Sequence, residues 1–145
     1  MGNRAESVNA DGVVAGVYSV CFYACATTNA GGFERSPQGV FTLFNPPGTI
    51  VTSLVPHRVL GGVPLTTPHR LSINQAGTIT GSYVDAEGAQ HGFVRNPYGT
   101  ITSFDPPRGK QTTATSINDS GVIAGSYFYD WNTQIAQGFL RVPEP

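Results

Sequence analysis

Two stretches of this chain bring together side chains that could do chemistry. The first is Asp85-Ala86-Glu87-Gly88-Ala89-Gln90-His91, where a histidine and two acids share one loop. Such a group could hold a metal or carry an acid/base step. The simpler reading is a hydrogen bond between His91 and Asp85 across their own hairpin, because related stretches elsewhere in the chain lack both residues. The second is Tyr129-Asp130-Trp131-Asn132, which contains the sole tryptophan. An exposed aromatic beside polar amides in a loop suits stacking on a sugar ring. The competing role for Trp131 is to cover a neighbouring sheet.

Other reactive residues fall into no catalytic pattern. Cys21 and Cys25 are spaced Cys-x-x-x-Cys, without the second pair or nearby histidine that a zinc site needs. A local disulfide across a hairpin end fits them and would suit an oxidising compartment, with two free structural thiols as the alternative. His57 and His69 have no spaced cysteine or carboxylate partner. Gly-x-Ser-x-Gly, His-Glu-x-x-His and a Walker loop are all missing. An enzyme is therefore the weakest of the functional classes, and no metal or cofactor is implied. Arg35, Arg95 and Arg141 recur at equivalent places. Such arginines could line a groove, but the preferred role is bracing between structural units.

Composition narrows the class. Eight Lys+Arg against nine Asp+Glu leave a net charge of -1, with no basic run to follow a phosphate backbone, so nucleic acid is set aside as a partner. Charged residues are only 12% of the chain, whereas Gly supplies 18 positions and Pro 11, a balance suited to short strands and tight turns. The apolar runs fall short of the roughly 20 residues of a membrane-spanning helix, so no membrane insertion is expected. At 145 residues the length suits one domain with a real core.

The elements that must position these residues are repeats. Ser72-Ile73-Asn74-Gln75-Ala76-Gly77-Thr78-Ile79-Thr80-Gly81-Ser82-Tyr83 aligns without gaps on Ser116–Tyr127 and on Ser7–Tyr18. Gly-Phe-x-Arg-x-Pro follows at Gly32, Gly92 and Gly138, and the first two copies close on Phe44-Asn45-Pro46-Pro47 and Phe104-Asp105-Pro106-Pro107. Phe33 to Phe44 and Phe93 to Phe104 are both 11 positions apart, so that segment is tightly specified. Tyr to the Phe of Gly-Phe spans 15, 10 and 12 positions, marking a loop of variable length. Each copy reads as four strands, a to d, with the Asn-x-x-Gly turn between a and b and a Pro-x-Gly turn between c and d. Prolines after strand d end the unit. The glycines at 16, 81 and 125 are expected at a bulge or a close backbone approach.

Copy two leads copy three by 44 residues, Asn74 to Asn118, close to the roughly 40–50 residues of a four-stranded propeller blade. The expected organisation is a single all-β domain over 1–145, with repeats at 6–48, 71–109 and 114–145 and an insertion at 49–70. Within the insertion, residues 48–56 resemble 99–106. Residues 49–55 form a candidate spare outer strand for the third copy of the same or a neighbouring chain, since that copy reaches Pro145 without a strand d of its own.

The run Ile73 to Phe93, Ile-Asn-x-x-Gly-x-Ile-x-Gly-x-Tyr-x-Asp-x-x-Gly-x-x-His-Gly-Phe, resembles the bacterial extracellular HAF repeat family. The resemblance covers nearly all the chain outside the insertion. Copies one and three depart from it, with Val20 and Tyr129 at the Asp position and Gly31 and Gln137 at the His position. It implies export, an extracellular or cell-surface location and a propeller-like fold, and no established activity. Arg141-Val142-Pro143-Glu144-Pro145 also resembles the opening of a Val-Pro-Glu-Pro (PEP-CTERM-type) sorting signal, although Pro143 is equally the repeat's own Arg-x-Pro. No apolar h-region follows Met1, so for an exported protein either a trimmed chain or a mature form bearing an added Met is expected.

Three blades cannot close a ring, because propellers use four to eight. The fold class expected is therefore three propeller-like, four-stranded antiparallel repeats closed or extended by self-association, as a dimeric six-bladed ring or a head-to-tail filament. Two functions follow. One is an exported structural or assembly protein whose partner is itself. The other is a lectin-like module binding an extracellular glycan through Tyr129, Asp130, Trp131, Asn132, Asp85 and His91.

Overall fold

Strand signals and turn chemistry recur through the chain, and the computed structural model answers them with strands at every copy. It describes residues 2–22, 27–49, 52–53, 69–129 and 135–143. The described residues contain twelve strands and no helix. The strands are β1 (Gly2–Val8), β2 (Val14–Phe22), β3 (Thr27–Arg35), β4 (Phe41–Phe44), β5 (Thr52–Ser53), β6 (His69–Ile73), β7 (Ile79–Val84), β8 (Gln90–Arg95), β9 (Ile101–Phe104), β10 (Lys110–Ile117), β11 (Ile123–Phe128) and β12 (Ala136–Arg141). They form three antiparallel sheets in the orders β1-β2-β3-β4, β6-β7-β8-β9 and β10-β11-β12, with β5 added to β3. Each sheet holds one copy of the repeat.

Register is the same in all three. Gly16 faces Phe33, Gly81 faces Phe93 and Gly125 faces Phe139 across the central strand pair. The first strand of each sheet shifts register, at Ala5/Ser7, His69/Ser72 and Ala114/Ser116. The recurring glycine is what this geometry demands. A Cβ on Gly16 would overlap the Arg4 carbonyl and the Phe33 ring, and one on Gly125 would overlap the Thr113 carbonyl and lie 2.6 Å from the Phe139 ring.

The turn signals also hold. Asn9, Asn74 and Asn118 each accept the N–H of the residue four positions on, Val13, Thr78 and Val122, on the side-chain Oδ1 at 2.9 Å. The Gly three positions on adopts positive φ, 79° at Gly12, 81° at Gly77 and 78° at Gly121, where a Cβ is disfavoured. The same asparagine therefore sets turn geometry in every sheet.

The core lies between the sheets. Ala15, Val17 and Phe44 of the first sheet pack with Leu71, Ile73, Ile79, Tyr83 and Phe93 of the second. Ala114, Ile117 and Ile123 of the third form the next core, joined by Val94 and Phe104 of the second and by Phe139. Ile79 and Tyr83 share the face expected from their spacing, but Thr80 and Ser82 are also fully buried, because the middle sheet is covered on both faces.

The spare-strand expectation is corrected. Thr52 and Ser53 pair with Asn29 and Thr28 of β3, so this part of the insertion joins the first sheet directly on β3, along the stretch that β4 leaves open. The open stretch of β3 is the nearer partner. Closing a short loop back onto β3 orders less chain than carrying the segment to the third sheet.

Candidate functional site

The sequence placed its chemistry at Asp85 and His91, and the structure brings them together with a third residue. Asp85 opens the β7–β8 turn, where its Oδ1 accepts the N–H groups of Glu87 at 3.0 Å and Ala89 at 2.8 Å. Its Oδ2 pairs with His91 Nε2 at 3.0 Å. Asp105, directly after β9, takes the other ring nitrogen, with Nδ1 to Oδ2 at 2.7 Å. Asp105 Oδ1 in turn accepts the hydroxyl of buried Thr112 on β10. Next to it, Gln90 Nε2 donates to the Thr112 carbonyl at 3.0 Å and to Thr113 Oγ1 at 2.6 Å.

Burial works to lower the His91 pKa, but the hydrogen bonds and charges of Asp105 and Asp85 outweigh it and raise the pKa above 6.5. Burial likewise works to raise that of Asp85, and is outweighed by the bonds from His91 and the Ala89 N–H, so the carboxyl titrates below 3.8. Both imidazole nitrogens and all four carboxylate oxygens are occupied. Among the described residues no group of three or more His, Cys, Asp or Glu side chains is arranged to hold a metal ion. The cluster pins the second sheet to the third.

Asp105 was the residue that sequence reasoning missed. Its signal was a paired exchange between copies: where copy two has His91 and Asp105, copy one has Gly31 and Asn45. The Asn45 side-chain oxygen occupies the space into which a Cβ on Gly31 would project. Tyr129 lies apart from this cluster and is exposed, its hydroxyl accepting from Arg108 Nη1 at 3.0 Å. Asp130, Trp131, Asn132 and Cys25 lie outside the described residues, as does the side chain of Cys21.

The most regular polar feature joins the sheets to each other. Asn9 Nδ2 donates to the Asn74 carbonyl at 3.2 Å, and Asn74 Nδ2 donates to the Asn118 carbonyl at 3.1 Å. The Ala10 N–H bonds Gln75 Oε1 at 3.1 Å, and the Gln75 N–H bonds Asp119 Oδ1 at 2.8 Å. Ser7 Oγ accepts from the Ile73 N–H at 3.2 Å, and Ser72 Oγ from the Ile117 N–H at 3.3 Å.

The recurring arginines belong to the same interfaces. The Arg95 guanidinium stacks over the Phe44 ring of the preceding sheet at 5.1 Å, and Arg141 over Phe104 at 5.0 Å. Arg95 also pairs with Glu34 across the interface at 2.6 Å. Arg35, in the first sheet, lies over Phe41 of its own sheet at 5.9 Å.

The two interfaces thus repeat one another, and the outer faces present the same residues uncovered. Val8 is 62% exposed, whereas its counterparts Ile73 and Ile117 are 6% and 8%. Leu140 is 72% exposed, while its counterpart Val94 packs into the second core. No family model, curated protein or solved structure matches the chain.

Proposed function

We propose that the chain is an exported structural building block of propeller-like β repeats that associates with copies of itself through its outer sheet faces. One observation carries the reading: the inter-sheet interface occurs twice with the same donors, acceptors and ring contacts, and each half of it recurs unsatisfied at one end of the row. The Asn9 carbonyl accepts from the Gly12 N–H in its own turn, as the Asn74 and Asn118 carbonyls accept from Gly77 and Gly121, but among the described residues it takes no asparagine amide. Among the described residues, Asn118 Nδ2 and Ser116 Oγ, which would serve a following sheet, likewise have no partner. A second copy set in register brings Asn118 Nδ2 to the Asn9 carbonyl and Ser116 Oγ to the Val8 N–H, and covers Val8 and Leu140. Heterologous contacts of this kind close a ring or run on as a filament according to the rotation per sheet.

Sedimentation equilibrium over a range of concentrations tests the reading. A dimer or a growing series of oligomers is expected, and a monomer throughout would refute it. The export half of the reading rests on the repeat resemblance, and recovery of the native protein from the cell surface or medium is its test.

A further inference from the structure

The joint between the second and third sheets is held by bonds of two kinds, and only one kind depends on a proton. At its asparagine-turn end, the Ile117 N–H bonds Ser72 Oγ and the Asn74 amide bonds the Asn118 carbonyl. The joint between the first and second sheets repeats both, Ile73 on Ser7 and Asn9 on Asn74. Hydroxyls, amides and backbone groups do not titrate near neutrality. At the end nearest the β7–β8 turn the two joints differ. There Asp105, leaving β9, accepts the hydroxyl of buried Thr112 on β10, and Gln90 of β8 donates to the Thr112 carbonyl at 3.0 Å. Asp105 is itself held by His91 Nδ1 at 2.7 Å, while His91 Nε2 lies 3.0 Å from Asp85. Copy one has Val20, Gly31 and Asn45 at the positions of Asp85, His91 and Asp105, so none of the three titrates in the first joint.

The geometry fixes the charge on the ring. An ionised carboxylate only accepts, and a neutral imidazole donates from one nitrogen alone. Two carboxylate oxygens within bonding distance of the two ring nitrogens are both satisfied only when the ring carries two protons. We propose that His91 is a proton-operated clasp: charged, it braces Asp105 against β10, and on losing a proton it releases that end of the third sheet from the second while the first joint stays closed. The acids around the ring are Asp85 and Glu87, from the β7–β8 turn, and Asp105. Its other neighbours are the Tyr83 ring of β7, at 5.5 Å between centroids, and the uncharged Thr112 and Thr113 of β10. The first sheet reaches Asp85 through Gly48. Of the cations between β9 and β10, Arg108 is turned to Tyr129 and Lys110 is exposed. Burial opposes the charged ring, but Asp105 and Asp85 outweigh it and hold the proton to a pH above 6.5. A proton bound more tightly in the closed joint than in the open one stabilises closure fully below about 6.5, and that contribution is lost as pH rises through the raised value.

Amide exchange followed by NMR on the full chain tests the clasp, because each joint has its own reporter. The Ala114 N–H, on Ser82 Oγ at 2.8 Å, reports on the clasped joint, and the Ile73 N–H, on Ser7 Oγ at 3.2 Å, on the other. After correction for intrinsic exchange, protection at Ala114 should fall by about tenfold or more between about pH 6 and about pH 9, with Ile73 unchanged. The fall should share its midpoint with the titration of the His91 ring. Importing copy one's residues, His91→Gly with Asp105→Asn, should remove the pH response at Ala114. His91→Gln should do the same and serves if the double variant fails to fold; the comparison of Ala114 with Ile73 in the unaltered chain decides the matter if both fail. Equal losses at the two amides, no loss at either, or a response that survives removal of the imidazole overturns the proposal.

Discussion

Asn74 donates its side-chain amide to the main-chain carbonyl of Asn118 at 3.1 Å, so one turn asparagine holds the next across the boundary between two sheets. The same side chain organises its own turn through Oδ1. Local and long-range order therefore share one residue, and the sheets cannot slide past each other without breaking turns.

Removing Asn74 should cost more than removing its counterpart. Asn74→Ala deletes two hydrogen bonds at a buried site and is expected to lower stability by about 2–3 kcal/mol. Asn118→Ala, at an exposed position with only the turn bond to lose, should cost about 1 kcal/mol. Urea denaturation of the two variants checks the difference, and equal losses would contradict a role for the amide between sheets.

Gly125→Ala should be among the most damaging single changes. The added methyl meets both the Thr113 carbonyl and the Phe139 ring, and the carbonyl cannot retreat without opening the β10–β11 pair. A loss of about 2–4 kcal/mol is expected, measurable as a fall in melting temperature and as faster amide exchange in the third sheet.

Arg95 and Arg35 share a sequence motif but not an environment. Arg95 is 5% exposed, stacked on Phe44 and paired with Glu34, and its replacement by alanine leaves Glu34 unpaired and the ring uncovered. Arg95→Ala should cost about 2–3 kcal/mol and Arg35→Ala under about 1 kcal/mol. A double-mutant cycle of Arg95→Ala with Glu34→Ala then separates the ion pair from the stacking.

The His91 cluster predicts a defined pH window. A histidine whose pKa is raised on folding stabilises the fold fully below its unfolded value of about 6.5 and loses that contribution as pH rises through the raised value. Asp85, with its pKa lowered on folding, contributes above about 3.9 and loses its contribution as pH falls through the lowered value. Stability should therefore peak on the mildly acidic side of neutrality. His91→Gln should flatten the decline on the alkaline side; if the wild-type and variant curves fall in parallel there, His91 is not the titrating group.

Leu140 probes self-association without touching a core. Leu140→Asp places a charge on the uncovered face of the third sheet, and should shift sedimentation toward monomer while leaving the melting temperature within a few degrees. Retained oligomers would move the contact away from that face.

Much of the fold was legible in residues and spacing. The Asn-x-x-Gly and Pro-x-Gly signals located turns because their conformations depend on local chemistry, and the close-approach role of Gly16 and Gly125 followed from a glycine recurring where a strand should carry a side chain. The hydrogen bond between Asp85 and His91 was legible because the two lie six positions apart in one hairpin.

Less was legible wherever partners come from different copies. Asp105 completes the His91 cluster from another strand, and the arginines of one copy find their rings in the copy before. The placement of Thr52 and Ser53 on β3 depended on which of two similar edges lay nearer. By itself the sequence determined the repeat, its strands and its turns, since backbone dihedrals and side-chain parity answer to neighbours along the chain. Only the tertiary structure decided that the core lies between sheets and that turn asparagines link successive copies, because packing selects contacts by distance in space.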